Sequence, residues 1–273
     1  MSYYQILGLE KEPFSTSPDP EFFYQSQEHQ AALTRLLIEI RLRRGLSVIL
    51  GDVGTGKTTL SRKLFQMLRE REDIEFFMVL DPTYDTQQVF VESLARTFRI
   101  QTAKASPSLL DMKEAIKQYL FQKGVSENKT IVLLIDEAQK LNTESLEVLR
   151  VMLNYETNEF KLLQLVLLSQ LELLPKIREM KNLLDRVSMR YIINPFDDIE
   201  TKEMIAFRIN RAGYNSPMPL FHDDAITEIY QQTQGYPRRI AMICHNALKR
   251  LVMENKMVVD RDIVRKVVAE REI

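Results

Sequence analysis

One stretch sets the terms for the rest of the chain: LSVILGDVGTGKTTL, Leu46 to Leu60. Within it, Gly51, Gly54, Gly56, Lys57 and Thr58 satisfy the spacing G-x-x-x-x-G-K-[ST] and add a third glycine. Four of the chain's eight glycines (Gly45, Gly51, Gly54 and Gly56) fall in or beside it. Glycine lets the backbone approach a ligand closely, which a loop must do to turn its N–H groups onto a phosphate chain. Leu46, Val48, Ile49 and Leu50 predict a buried strand entering the loop. From Thr58 onward, Leu60, Leu64, Met67 and Leu68 predict one face of a helix. Strand, glycine loop, helix is the context that gives the motif its meaning. In that context the amides from Gly54 to Thr58 and the helix N-terminus hold phosphates. Lys57 sets its ammonium against the β- and γ-phosphates of a nucleoside triphosphate, and the Thr58 hydroxyl ligates Mg²⁺.

The chain has 273 residues, enough for one large or two modest domains. Its net charge of -1 supplies no global basic field for nucleic acid or acidic lipid. The single cysteine, Cys244, excludes an internal disulfide and suits a reducing compartment. No apolar run reaches the roughly 18 residues of a membrane span. The opening MSYYQILGLEKEPF lacks the charge and apolar core of a signal peptide. The expected address is the cytoplasm.

Residues 1–27 are rich in aromatics, with prolines at 13, 18 and 20, and predict an irregular segment lying over a domain surface. Apolar periodicity predicts a helix over 28–43. Beyond the glycine loop it predicts strands over 75–80, 130–135, 162–168 and 190–193, with helices over 86–98, 108–123 and 143–155 between them. Strands alternating with helices indicate a parallel sheet covered on both faces. After Asn194-Pro195 only helices follow, over 200–212, 223–233, 237–253 and 259–270. The expected organisation is therefore an α/β nucleotide-binding domain over 1–195, including the aromatic segment, and a smaller all-helical lid over 196–273.

The strand IVLLI ends in Asp136-Glu137. In such sheets, ligands sit at the carboxyl ends of strands. Asp136 is expected to hold Mg²⁺ through its water shell, and Glu137 to polarise the attacking water as general base. The next strand ends in Leu168-Ser169-Gln170; Gln170 is the first choice, and Ser169 the second, for contact with the γ-phosphate or the water. Arg186 and Arg190 precede and open the last strand, and Arg238 lies in Gly235-Tyr-Pro-Arg-Arg at a helix start. Each can neutralise charge on a transferring phosphoryl group.

The set GDVGTGKTT, LLIDEAQ, LLSQLEL, LDRVSMRY and GYPRRI, in that order and followed by a helical region, resembles an AAA+ P-loop ATPase. More narrowly, the aromatic-proline segment from Tyr4 to His29 is similar to the ATPase domain of the general secretion pathway protein A (ExeA-type) family. The resemblance implies ATP and Mg²⁺ bound by Gly51, Asp52, Val53, Gly54, Thr55, Gly56, Lys57, Thr58 and Thr59, the Walker A segment. It implies a Walker B pair in Asp136 and Glu137, a sensor in Gln170, and a second sensor in Arg238. Arg190, with Arg186 second, becomes the arginine finger supplied in trans by the adjacent subunit of a ring or filament. It implies a strand order of 5-1-4-3-2, and adenine near Phe14 to His29. Longer members of that family continue into a membrane span and a periplasmic part, so the chain is expected to be a stand-alone relative or a piece of a longer, membrane-anchored protein.

The leading reading is an ATP-hydrolysing, oligomeric motor or assembly switch acting on a protein partner, such as secretion or pilus machinery. The alternative is an ATP-gated scaffold on duplex DNA that recruits a transposase or recombinase. Cys244, His245, His29 and His222 have no metal-site spacing and are read as structural. Phe22, Phe23, Phe76 and Phe77 are read as core. The basic C-terminal residues Arg238, Arg239, Lys249, Arg250, Arg261, Arg265 and Lys266 are interleaved with acids and are read as a solvated surface.

Overall fold

The computed structural model describes residues 2–15, 17, 19–101 and 106–270. In chain order the elements are α1 (Tyr3–Ile6), α2 (Gln27–Arg41), β1 (Leu46–Gly51), α3 (Lys57–Leu68), β2 (Ile74–Val79), α4 (Gln87–Thr97), α5 (Leu109–Phe121), β3 (Thr130–Ile135), α6 (Thr143–Met152), β4 (Leu163–Ser169), α7 (Leu173–Glu179), α8 (Lys181–Leu184) and β5 (Val187–Ile193). Then come α9 (Asp198–Arg211), α10 (Asp223–Thr233), α11 (Pro237–Met253) and α12 (Arg261–Ala269). By packing, the chain forms two units. One holds His29–Asp52 with Leu60–Ile193; the other holds Met1–Glu28, Val53–Thr59 and Asn194–Ile273.

The first unit is built on a five-stranded sheet in the order β2-β3-β4-β1-β5, with every pairing parallel. The order is the one the family resemblance implies. Every residue of β1, β3 and β4 is buried, as unbroken apolar strands in the middle of a two-faced sheet must be. Phe90 and Leu94 of α4, Met112 and Ile116 of α5, and Leu146 and Leu149 of α6 close over the sheet in one core. At about 1.5–3 kcal/mol for each fully buried large apolar side chain, this layer fixes which strand end each loop leaves from. Asn142 caps α6 by accepting from the Ser145 amide at 2.8 Å.

β5 is longer than its sequence suggests, starting at Val187 rather than Arg190. As an edge strand it exposes Ser188, Arg190 and Ile192, so no apolar run marks its beginning. The helices α7 and α8 have no counterpart in the sequence reading. Both are short, and Pro175 in the first turn of α7 reads as a breaker although proline is tolerated there.

The second unit corrects the reading of the opening segment. Of its prolines, Pro18 lies outside the described residues. Tyr3–Ile6 is helical, ahead of any proline. Leu9, Phe14 and Phe22 are not laid over a domain surface: they are core residues among α9 to α12. Phe14 meets Phe221 edge-on at 6.0 Å, and Tyr24 meets Phe196 edge-on at 5.5 Å. The Glu10 and Lys11 amides donate to the Ala212 carbonyl at 2.8 and 3.2 Å. Aromatic side chains from one end of the chain thus complete a core whose helices come from the other. Met1–Glu28 groups with Asn194–Ile273 rather than with the sheet, where the sequence had placed it.

Candidate functional site

The glycine loop leaves β1 at Gly51, and α3 begins at Lys57. Gly54 and Gly56 adopt φ of +85° and +97°, which L side chains rarely do. Lys57 and Thr55 are buried. The first turn of α3 carries no acidic residue, so nothing in it offsets the positive end of this 12-residue helix. Thr58 and Thr59 stand in that turn. Arg238, in the first turn of α11, is brought to the loop: its amide donates to the Gly54 carbonyl at 3.3 Å. A β-carbon added to Gly54 would lie 3.0 Å from that of Arg238.

The carboxyl ends of β1, β3 and β4 lie side by side at one edge of the sheet. Asp136 follows β3, buried, with its amide donating to the Val79 carbonyl at 2.8 Å. Its Oδ1 accepts from the Glu137 amide at 2.9 Å. Glu137 has φ of +53° and ψ of 35°, an uncommon left-handed conformation for a residue with a side chain. β4 ends in Ser169, fully buried, and Gln170 follows it, half-buried.

One residue that sequence reasoning did not single out joins these groups. Gln139 donates through Nε2 to Glu137 Oε2 at 2.7 Å. Its Oε1 accepts from Ser169 Oγ at 3.0 Å and from the Gln170 amide at 3.1 Å. Lys176 of α7 donates to the backbone carbonyls of Gln139 at 2.6 Å and Leu141 at 3.0 Å. The one available signal was the polar residue two positions beyond the paired acids.

Arg190 does not join this edge. It sits mid-strand on β5, opposite Val48, and is exposed. Arg186 precedes β5, and its Nε is buried without a hydrogen-bond partner. Four of the seven basic residues named in the C-terminal helices are paired with acids. Arg261 and Arg265 pair with buried Glu228. Arg250 and Lys266 pair with Glu254, and Arg250 also with Glu270. Burial pushes the Cys244 thiol far above its usual range. Among the described residues no cluster of three His, Cys, Asp or Glu could hold a metal by itself. Thr58 carries a hydroxyl and Asp136 a carboxylate; each is a hard oxygen donor of the kind that suits Mg²⁺, which keeps water and phosphate oxygens among its ligands.

A parallel sheet in this strand order, with a glycine loop leaving β1 for a helix, is the arrangement of P-loop ATPases of the AAA+ class. The chain belongs to that family: the model described as an AAA domain matches residues 40–177. Among individual proteins, it is 34% identical over 248 residues to general secretion pathway protein A of Aeromonas hydrophila. That match covers 90% of this chain and 44% of the relative, so the chain spans less than half the relative's length. Solved structures share the fold at lower identity. Cdc6p from Pyrobaculum aerophilum is 17% identical with a TM-score of 0.71, covering 94% of this chain and 70% of that one. Drosophila ORC bound to DNA is 20% identical with a TM-score of 0.70, covering 100% and 66%. The Thermotoga maritima RuvB Holliday junction branch migration motor is 15% identical with a TM-score of 0.60, covering 91% and 72%. No helix among the described residues is long and apolar enough to cross a membrane.

Proposed function

We propose that the chain binds ATP with Mg²⁺ and hydrolyses it as an oligomeric assembly switch or motor. The observation that carries this reading is the sheet edge at which the end of β1, the Asp136-Glu137 pair and the tip of β4 lie in neighbouring strands. The Gly51 to Thr59 segment is read as the phosphate cradle, with Lys57 against the β- and γ-oxygens. Thr58 and Asp136 would hold the magnesium ion, which supplies positive charge to the phosphate oxygens when bound. Glu137 accepts the proton of the attacking water as that water's oxygen bonds to the γ-phosphorus and the β–γ bridge opens. Gln170 orients the water or a γ-oxygen. Arg190, exposed on the edge strand β5, is suited to act on a neighbour's nucleotide, with Arg186 in reserve. Arg238, seated on the phosphate loop, couples nucleotide state to the helical unit acting as lid. Similarity to general secretion pathway protein A favours a protein partner in secretion machinery.

The DNA-scaffold reading draws on fold likeness to ORC bound to DNA, and the pairing of Arg250, Arg261 and Arg265 with acids speaks against it.

The test is Glu137→Gln. Equilibrium binding of ATP with Mg²⁺ is expected to persist while steady-state turnover falls by at least about 100-fold. Near-normal turnover would remove Glu137 as the base, and failure of the unaltered chain to retain adenine nucleotide would overturn the whole reading.

A further inference from the structure

We propose that Gln139 is a positioning residue that ties the carboxylate of Glu137 to the tip of β4. The inference rests on the reading of Glu137 as the base and adds what aims it. The Gln139 amide is held at both ends. Its oxygen takes two donors, Ser169 Oγ and the Gln170 amide, while its nitrogen gives one hydrogen bond to Glu137 Oε2. Rotating the amide by half a turn would set N–H against N–H and leave Glu137 without a donor, so a single orientation satisfies all three contacts. The backbone around it is fixed as well, by Lys176 on the Gln139 and Leu141 carbonyls.

This bracing accounts for the conformation of Glu137. A non-glycine residue persists in left-handed backbone when its surroundings over-determine it. Here the Glu137 amide is held by Asp136 Oδ1, and its side chain by Gln139. The same contacts form a path. Gln170 is the residue proposed to meet the γ-phosphate, and its amide is bonded directly to the group that holds the base. A shift of the β4 tip on engaging a ligand therefore moves Gln139 and re-aims Glu137.

Two substitutions separate the arms. Gln139→Glu keeps acceptor oxygens for Ser169 and Gln170 but removes the donor to Glu137 and sets a like charge against it. Gln139→Leu keeps the bulk and removes every polar contact. Turnover, KM and ATP affinity are measured for both, with thermal melting as the check on folding. Gln139→Glu is expected to lower kcat about 10- to 100-fold with KM and affinity within about twofold of the unaltered chain, because it disturbs the base in position and charge and leaves the nucleotide contacts in place. Gln139→Leu is expected to lower kcat at least as far.

The decisive measurement repeats Gln139→Glu in a Glu137→Gln chain by single-turnover kinetics. If Gln139 acts through Glu137, the second substitution has no further effect beyond about twofold. A loss of equal size in both backgrounds, an unchanged kcat for Gln139→Glu alone, or absence of a folding transition in both variants overturns the proposal. Slow turnover of Glu137→Gln beside normal turnover of Gln139→Glu overturns this inference alone. Normal turnover of Glu137→Gln overturns the assignment of the base and this inference with it.

Discussion

At Gly235 the backbone turns with φ of +73°, and a β-carbon added there would lie 1.8 Å from the Phe196 carbonyl oxygen. The neighbour is backbone, so no side chain can swing aside. The Phe196 amide also donates to the Gly235 carbonyl at 2.9 Å, locking the two segments together at the start of α11. Gly235→Ala is expected to lower stability by at least about 2 kcal/mol, measured by urea unfolding, through forced backbone displacement. In sequence, Gly235-Tyr-Pro is legible as a helix start, but the reason for the glycine lies at Phe196. Gln139 is hidden in the same way. The acids and glycines proposed to surround a phosphate chain stand out by type and spacing, whereas Gln139 takes its meaning from Ser169 and Gln170, one strand away.

Helix ends show how much local chemistry the sequence carries. Asp260 caps α12 by accepting from the Ile263 amide at 2.9 Å, and Lys256 reaches its carboxylate at 2.9 Å. The capping bond to the Ile263 amide holds the Asp260 carboxyl below its usual range, with Lys256 assisting. A carboxyl whose folded-state pKa lies below its unfolded value contributes stability above the unfolded value and loses it as pH falls through the folded one. Asp260→Ala is therefore expected to be destabilising by about 1 kcal/mol at pH 7. The gap to the unaltered chain should narrow as pH drops below about 4; urea titrations across that range check it. Interior strands were legible for a related reason: β3 and β4 are apolar at nearly every position, so pattern alone marks them. β5 was only half legible because an edge strand mixes exposed and buried positions. The order of the strands was not in the pattern at all. It entered through the family resemblance, since which strand lies beside which is decided by contacts distant in sequence.

For the molecule as a whole, the finger role proposed for Arg190, exposed on an edge strand, makes a prediction about assembly. On that proposal, a chain carrying Arg190→Ala keeps its own Glu137 but cannot serve a neighbour. A chain carrying Glu137→Gln has lost its base but can still lend Arg190. Each alone is expected to turn over at least about 100-fold more slowly than the unaltered chain, and mixing them should restore measurable ATPase activity. No gain on mixing would mean that Arg190 does not work across subunits. The switch to an all-helical pattern after Pro195 was legible, and α9 to α12 follow it. The membership of the second unit was not, because aromatic residues near prolines look the same whether they line a surface or plug a distant core.

That plug bears on how the protein is made. Leu9, Phe14 and Phe22 leave the ribosome before the sheet, and the helices they complete emerge only after Asn194 has been translated. The sheet can settle during synthesis, but the unit that also contains Val53–Thr59 cannot close until its late helices arrive. The sheet of the first unit is therefore translated while that aromatic stretch still waits for the helices it packs against.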